Sequence, residues 1–382
     1  MNSTTTEQIE LKPFTTPALR ELAELNQGPC ASLLMPTAVA GKETRQSPIR
    51  LKNLLDKLDK QLTSQRVSEL DTEILRNLVN AHQFWQHQDA GLAIYLTPND
   101  VLAFSVSRQL SEAVLVDEVP YIKPAAINLT GDTSFAVLTL SWDEACLYRA
   151  DASQLQLWET HDLPATFDEM VTPRDPEEQI QFTSNSRAGK NASTPMYHGQ
   201  GEGEEKIEAD RRNYLVRVGK CLAGAIYEAK LPVILVATDE VAGHFREVTD
   251  SRLADHLQAS PSNLTASEIL TETRDRMRSR AAQEVEAFSE QLGTLQARGR
   301  GSTDVAEIVL AAQQGRVETL AAKVDCEVWG TIDQAHQRVE FSDRSSNTSE
   351  LVNRALINTL RNSGQILVRD DLAHDIAATL RH

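Results

Sequence analysis

Residues 233-VILVAT-238 form a nearly continuous apolar run that begins directly after Pro232. An unbroken run of this kind marks a strand buried on both faces, as in a sheet packed between helices. Just before it, Ile207, Tyr214, Leu215, Val218, Leu222, Ile226 and Ala229 trace a helical stripe that Pro232 ends. Ahead of that stripe, 183-TSNSRAGKNASTPMYHGQGEGEEK-206 has no apolar periodicity and is rich in Ser, Asn and Gly. It reads as a long mobile loop, and such a loop in a compact domain points to function or disorder. Loop, helix and buried strand in that order place the segment at the edge of an α/β domain.

The rest of the chain alternates in the same way. Helical patterns are expected at 17-PALRELAEL-25, along Leu51, Leu54, Leu55, Leu58 and Leu62, and again along Leu70, Ile74, Leu75, Leu78 and Trp85. Strand-like runs occur at 30-CASLLMP-36, 92-LAIYL-96, 101-VLAFSV-106 and 114-VLV-116, with 97-TPND-100 as a turn. Three further runs, 135-FAVLTL-140, 145-ACLYRA-150 and 155-LQLWE-159, suggest an antiparallel meander. Thr265 stands three residues before Glu268, a capping box opening a long helix along Ile269, Leu270, Met277, Ala281, Val285, Phe288, Leu292 and Leu295. The segment 298-RGRG-301 breaks that helix. Then follow helix 303–314 with Gly315 as a left-handed cap, strand 317–324, helix 350–360 and strand 365–368. The whole reads as α/β in three consecutive domains, 1–126, 127–258 with the loop 183–206, and 259–382.

Charge and composition narrow the functional classes. With 38 Lys+Arg against 55 Asp+Glu the net charge is −17, which argues against a general nucleic-acid-coating protein. It leaves open one whose basic residues gather on one face. Cys30, Cys146, Cys221 and Cys326 stand far apart with no C-x-x-C pair, as expected for reduced thiols in a cytoplasmic protein rather than for a disulfide framework or zinc site. Neither a membrane span nor a secretory signal is expected, and no metal or cofactor is called for by any motif.

Three stretches together resemble one family. The C-terminal part carries 311-AAQQGRVETLAAK-323 and 363-SGQILVRDDLAHDIAATLRH-382. The middle part has 198-HGQGEGEE-205 leading into 206-KIEADRRNYLVRVGKCLAGAI-226, and the N-terminal part has 82-HQFWQHQDAGLAIYLTPNDVLAFSV-106 and 119-VPYIKPAA-126. In this order they resemble the archaeo-eukaryotic peptide-chain release factors and Pelota, and in particular family three of the bacterial branch. The resemblance implies a family-specific N-terminal domain, a ribonuclease-H-like middle domain and a ribosomal-protein-like, kink-turn-binding type C-terminal domain. It further implies a ribosome partner, with contact to ribosomal RNA and tRNA.

The Gly-Gly-Gln loop of release factors is altered here. His198 stands where its first glycine would be, followed by Gly199, Gln200 and Gly201. An imidazole there adds bulk and restricts φ, which favours a ribosome-directed protein over peptidyl-tRNA hydrolysis. His198, Gly199 and Gln200 are nonetheless the candidate catalytic residues should the loop hydrolyse an ester with bound water. Candidate RNA contacts are Lys190, Arg211, Arg212, Arg217, Lys220, Arg298 and Arg300, any of which could instead belong to a solvated face. A nuclease site built from Asp132, Asp143, Glu144, Asp151 and Asp239 is disfavoured, since Asp is expected at strand-end turns for backbone reasons. The expected function is ribosome association in rescue, surveillance or hibernation. The alternatives are a peptidyl-tRNA hydrolase and a non-ribosomal, stress-related protein that keeps only the fold.

Overall fold

The computed structural model describes residues 9–25, 28–38, 46–86, 88–129, 134–151, 154–160, 162–171, 201–229, 231–333 and 335–381. The chain divides into two compact units, one made of residues 1–133 with 278–382 and the other of residues 134–277. The α/β class expected from the alternating pattern holds throughout.

The first unit opens with β1 (Leu11–Pro13), α1 (Thr16–Glu24), β2 (Cys30–Pro36), α2 (Ser47–Gln65), α3 (Glu73–Val79), β3 (Gly91–Leu96), β4 (Val101–Val106), β5 (Ala113–Asp117) and α4 (Lys123–Ala126). Its sheet runs β1-β4-β3-β2-β5, with β1 parallel to β4 and the other neighbours antiparallel. Because successive strand residues point to opposite faces, β2 sends Ala31, Leu33 and Met35 to a core under α2, and Cys30 and Leu34 to the other face. β3 divides likewise, Leu92, Ile94 and Leu96 against Ala93 and Tyr95. The stripe expected from Leu70 to Trp85 does not make one helix. Only Glu73–Val79 is α-helical, and Trp85, in the 3-10 turn Phe84–Gln86, returns to donate its indole N–H to the Leu78 carbonyl at 2.8 Å. Leu70 and Trp85 are buried from the flanking turns, so their spacing records burial and not a helical face.

The second unit contains β6 (Ser134–Leu140), β7 (Glu144–Asp151), β8 (Leu155–Leu157), β9 (Ala165–Thr166), α5 (Phe167–Met170), α6 (Gly201–Ala229), β10 (Val233–Ala237), α7 (Asp239–Val248) and β11 (Asp255–Gln258). The sheet order is β11-β10-β6-β7-β8 with β9 beside β7; β6, β10 and β11 are parallel, and β6-β7-β8 is the antiparallel meander. Every residue of β10 is buried. Val233, Leu235 and Ala237 face α6 and α7, while Ile234 and Val236 face Ile269 and Met277.

Those last two residues belong to α8 (Ala266–Gln296), within which the boundary between the units falls. Its capping box forms: the Thr265 amide and hydroxyl both donate to the Glu268 carboxylate at 2.8 Å. The first unit then resumes with β12 (Gly301–Ser302), α9 (Val305–Gln313), β13 (Val317–Ala322), β14 (Trp329–Asp333), β15 (Arg338–Phe341), β16 (Ser349–Glu350), α10 (Leu351–Arg361), β17 (Gln365–Val368) and β18 (Ile376–Leu380). These strands make two sheets, β12-β18-β13-β17 and β15-β14-β16. Gly315 closes α9 at φ +71°.

Within this unit the early and late parts of the chain share one core, which joins Phe14, Tyr95 and Phe104 to Ile308, Leu320 and Leu356. A polar network is sealed into the junction. Asn353 accepts the Ile122 and Lys123 amides at 2.9 and 3.1 Å and donates to the Pro120 carbonyl at 2.9 Å. The Lys123 ammonium lies 3.4 Å from Glu350 and donates to the Cys326 carbonyl. Glu350 in turn accepts the amides of Val328, Val352 and Asn353. Burial pushes its carboxyl above the usual range, against the pull of Lys123 and those three amides. All four cysteines are free thiols, Cys30 and Cys146 buried and Cys221 and Cys326 half-buried.

Candidate functional site

His198, Gly199, Gln200 and Lys190 lie outside the described residues, as does Asp132. The structure takes up the chain at Gly201, which is the first residue of α6. The last six residues of the loop expected to run to 206 are therefore helical. The acid-rich sequence at this point suits a helix start, where the macrodipole favours negative charge.

The helix is fixed by one face. Tyr214, Leu215, Val218 and Leu222 are buried against β6, β7 and β10, whereas Ile207, expected in the same stripe, is 52% exposed. Four of the expected basic residues project from α6, and they separate into two pairs. Arg211 and Arg212 line a groove of about 370 Å³ between α6 and α7, with Trp142, Ile207, Leu215 and His244 among its walls. Arg217 and Lys220 line a different hollow, of about 490 Å³, beside Asp162, Glu169 and Cys221. In the latter, Arg217 donates to the Met170 carbonyl at 2.5 Å, and burial pushes the Cys221 thiol up to about 11.

The first groove is the more organised of the two. The Arg211 guanidinium lies over the Trp142 ring, 4.5 Å from its centre, a cation–π contact. The Trp142 indole N–H donates to Glu240 at 3.2 Å, and the His244 ring stands 5.8 Å from the indole, tilted by 52°. Glu247 lies 4.0 Å from His244. Three contacts thus hold Trp142, which sits in the turn 141-SWD-143 between β6 and β7. Sequence reasoning missed both Trp142 and His244. A signal was available for the first: a tryptophan occupies a tight turn where Gly, Asn or Asp is the usual choice.

Arg298 and Arg300 belong to the other unit. Arg298 is exposed, while the Arg300 guanidinium donates to the carbonyls of Leu380 and Arg381 at 3.2 and 2.8 Å and so ties down the chain after β18. Of the carboxylates weighed for a nuclease, Asp143 is an exposed turn residue and Asp239 accepts from Gln258. Among the described residues no three His, Cys, Asp or Glu side chains are grouped to hold a metal ion, and no helix is long and apolar enough to cross a membrane.

Comparison with known proteins gives the following. No curated protein matches the chain. The crystal structure of the archaeal translation termination factor aRF1 is similar at 12% identity over 96% of both chains, with a TM-score of 0.23. The Pelota protein of Thermoplasma acidophilum is 10% identical over 98% of this chain and 95% of its own, with a TM-score of 0.23. Dom34 of S. cerevisiae, a translation termination-like factor involved in RNA quality control, is 14% identical over 66% of this chain and 63% of its own, with a TM-score of 0.32. A family model matches residues 134–316, a stretch that takes in the meander, the Gly-rich segment, α6, β10, α8 and α9. Over those residues the chain is similar to bacterial archaeo-eukaryotic release factor family 3.

Proposed function

We propose that the protein is a release-factor-like factor that acts at or near the ribosomal A site, in rescue, surveillance or hibernation, within the cytoplasm. One observation carries this reading. The family match spans as one block the segment that holds His198, Gly199, Gln200 and Gly201, the arginine-bearing helix α6 behind it and the buried strand β10. A rigid helix rooted in a sheet is a suitable mount for a segment that probes an RNA-lined site, and Arg211 and Arg212 in its first half offer donors to phosphate. The proposal keeps the three-domain division at residues 126/127 and 258/259. It also keeps ribosomal RNA and tRNA as the contacts of Lys190, Arg211, Arg212, Arg217, Lys220, Arg298 and Arg300. His198 in place of a glycine favours binding over hydrolysis.

Cosedimentation with ribosomes tests the reading. The full chain should pellet with them at low salt and leave them as salt is raised, since contacts to phosphate release counterions. A chain that stays in the supernatant at low salt refutes the proposal. Peptide release from a loaded ribosome that vanishes in Gln200→Ala would move the protein to the hydrolase reading.

A further inference from the structure

The groove between α6 and α7 has a place and a lining that select its occupant. We infer that it binds a nucleoside monophosphate, either free or as one residue of a single-stranded RNA; the RNA source rests on the ribosomal role proposed above. β6 and β10 are parallel neighbours, yet the chain leaves β6 for β7 on one side and leaves β10 through α7 for β11 on the other. Where onward connections diverge in this way, a crevice opens at the carboxyl ends of the strands, and open α/β sheets bind ligands there. Trp142 follows β6 by two residues and so stands at that end, while the rest of the lining comes from α6 and from the second half of α7, at His244, Glu247 and Val248. A volume of about 370 Å³ suits a single nucleotide.

The lining narrows the chemistry. Arg211 already lies over the Trp142 ring, and Arg212 is exposed beside it; among the described residues neither is paired with a carboxylate. Glu208 and Glu247 also line the groove, so a bare anion meets opposing charge. An apolar ligand would leave both guanidiniums unanswered. A nucleoside monophosphate answers each feature. Its phosphate suits Arg212, its flat base suits the wall of rings and guanidinium, and an exocyclic amine suits a glutamate. A peptide with aromatic and acidic side chains offers part of this, without a heteroaromatic edge that both donates and accepts.

Adenosine 5′-monophosphate and a short oligoadenylate, titrated separately into the full chain, test the assignment. The readout is the Trp142 indole resonance, identified by its loss in Trp142→Phe. Saturable shifts are expected, with affinity about tenfold weaker in Arg212→Ala and for adenosine without phosphate, the loss of one charge-assisted hydrogen bond. Arg246→Ala, which removes an exposed charge from α7 outside the groove, should bind as the parent does. Shifts with the oligonucleotide as well as the mononucleotide identify an RNA chain as the source, and shifts with the mononucleotide alone identify a free nucleotide. The inference is overturned if neither ligand shifts the resonance, if Arg212→Ala binds as tightly as the parent, or if an aromatic–acidic peptide outcompetes both. Ribosome cosedimentation of the unaltered chain reports on the other proposal independently, because nucleotide binding is measured with no ribosome present.

Discussion

Lys123 and Glu350 have no solvent-exposed side-chain surface, and a charge so enclosed is tolerated only beside its partner. Lys123→Met leaves the Glu350 carboxylate without its cation and should cost about 3 kcal/mol or more in a denaturant melt of the full chain. Glu350→Gln should cost a similar amount, because the ammonium is then stranded. The double variant Lys123→Met with Glu350→Gln should lose clearly less than the sum, and strictly additive losses would show that the pair is not coupled. Asp117, at the same junction, lies 3.5 Å from Arg354 and accepts from Ser349 at 3.1 Å. Burial raises its carboxyl above the usual value, while Arg354, the Glu118 amide and Ser349 pull it down. A raised folded-state value means that its contribution is complete below the ordinary aspartate range and fades as pH climbs through the folded value. Asp117→Asn, which cannot ionise, should therefore cost more relative to the parent at pH 4 than at pH 8, as read from denaturation midpoints of both chains. Equal differences at the two pH values would contradict this.

At the scale of the element, Gly330 in β14 has a specific duty. A Cβ placed on it would lie 2.3 Å from the Glu340 carbonyl oxygen of β15, a backbone atom with no freedom to swing away. Gly330→Ala should cost roughly 1–3 kcal/mol by forcing the two strands apart. A melt unchanged from the parent would show that β15 can yield. This same hairpin marks where the sequence stopped being legible. β2, β3, β6, β10 and the stripes of α2, α6 and α8 follow from their own residues, because each buries a face or two faces with a regular period. β15 is mostly exposed and β16 has two residues, so neither carries an apolar rhythm. α7 was overlooked although its signal was present: Thr238 caps the Val241 amide, with Asp239 and Glu240 in the first turn. At the candidate site, the arginines of α6 were readable as a basic group. Their division into two hollows was not, because the partners Trp142, His244, Asp162 and Glu169 come from other elements. The contact from Asn353 to the Lys123 amide spans 230 residues, beyond any local pattern.

For the molecule as a whole, the Gly-rich segment and the packed units bear different burdens. Among the described residues, the cores of both units are built on the strands and helices named above. Deleting 198-HGQG-201 should therefore leave the thermal midpoint within a few degrees of the parent. If ribosome association is then lost, the segment serves contact and not folding; a fall of about ten degrees would place it in the architecture instead. The junction around Lys123 carries a second consequence. The apolar face that holds Tyr95 and Phe104 is completed by α9 and α10. A nascent chain must then release nearly its full length before its opening third can finish folding. Transcripts with premature stop codons ahead of α10 should yield sticky fragments destined for chaperones and proteolysis, and never a working short form.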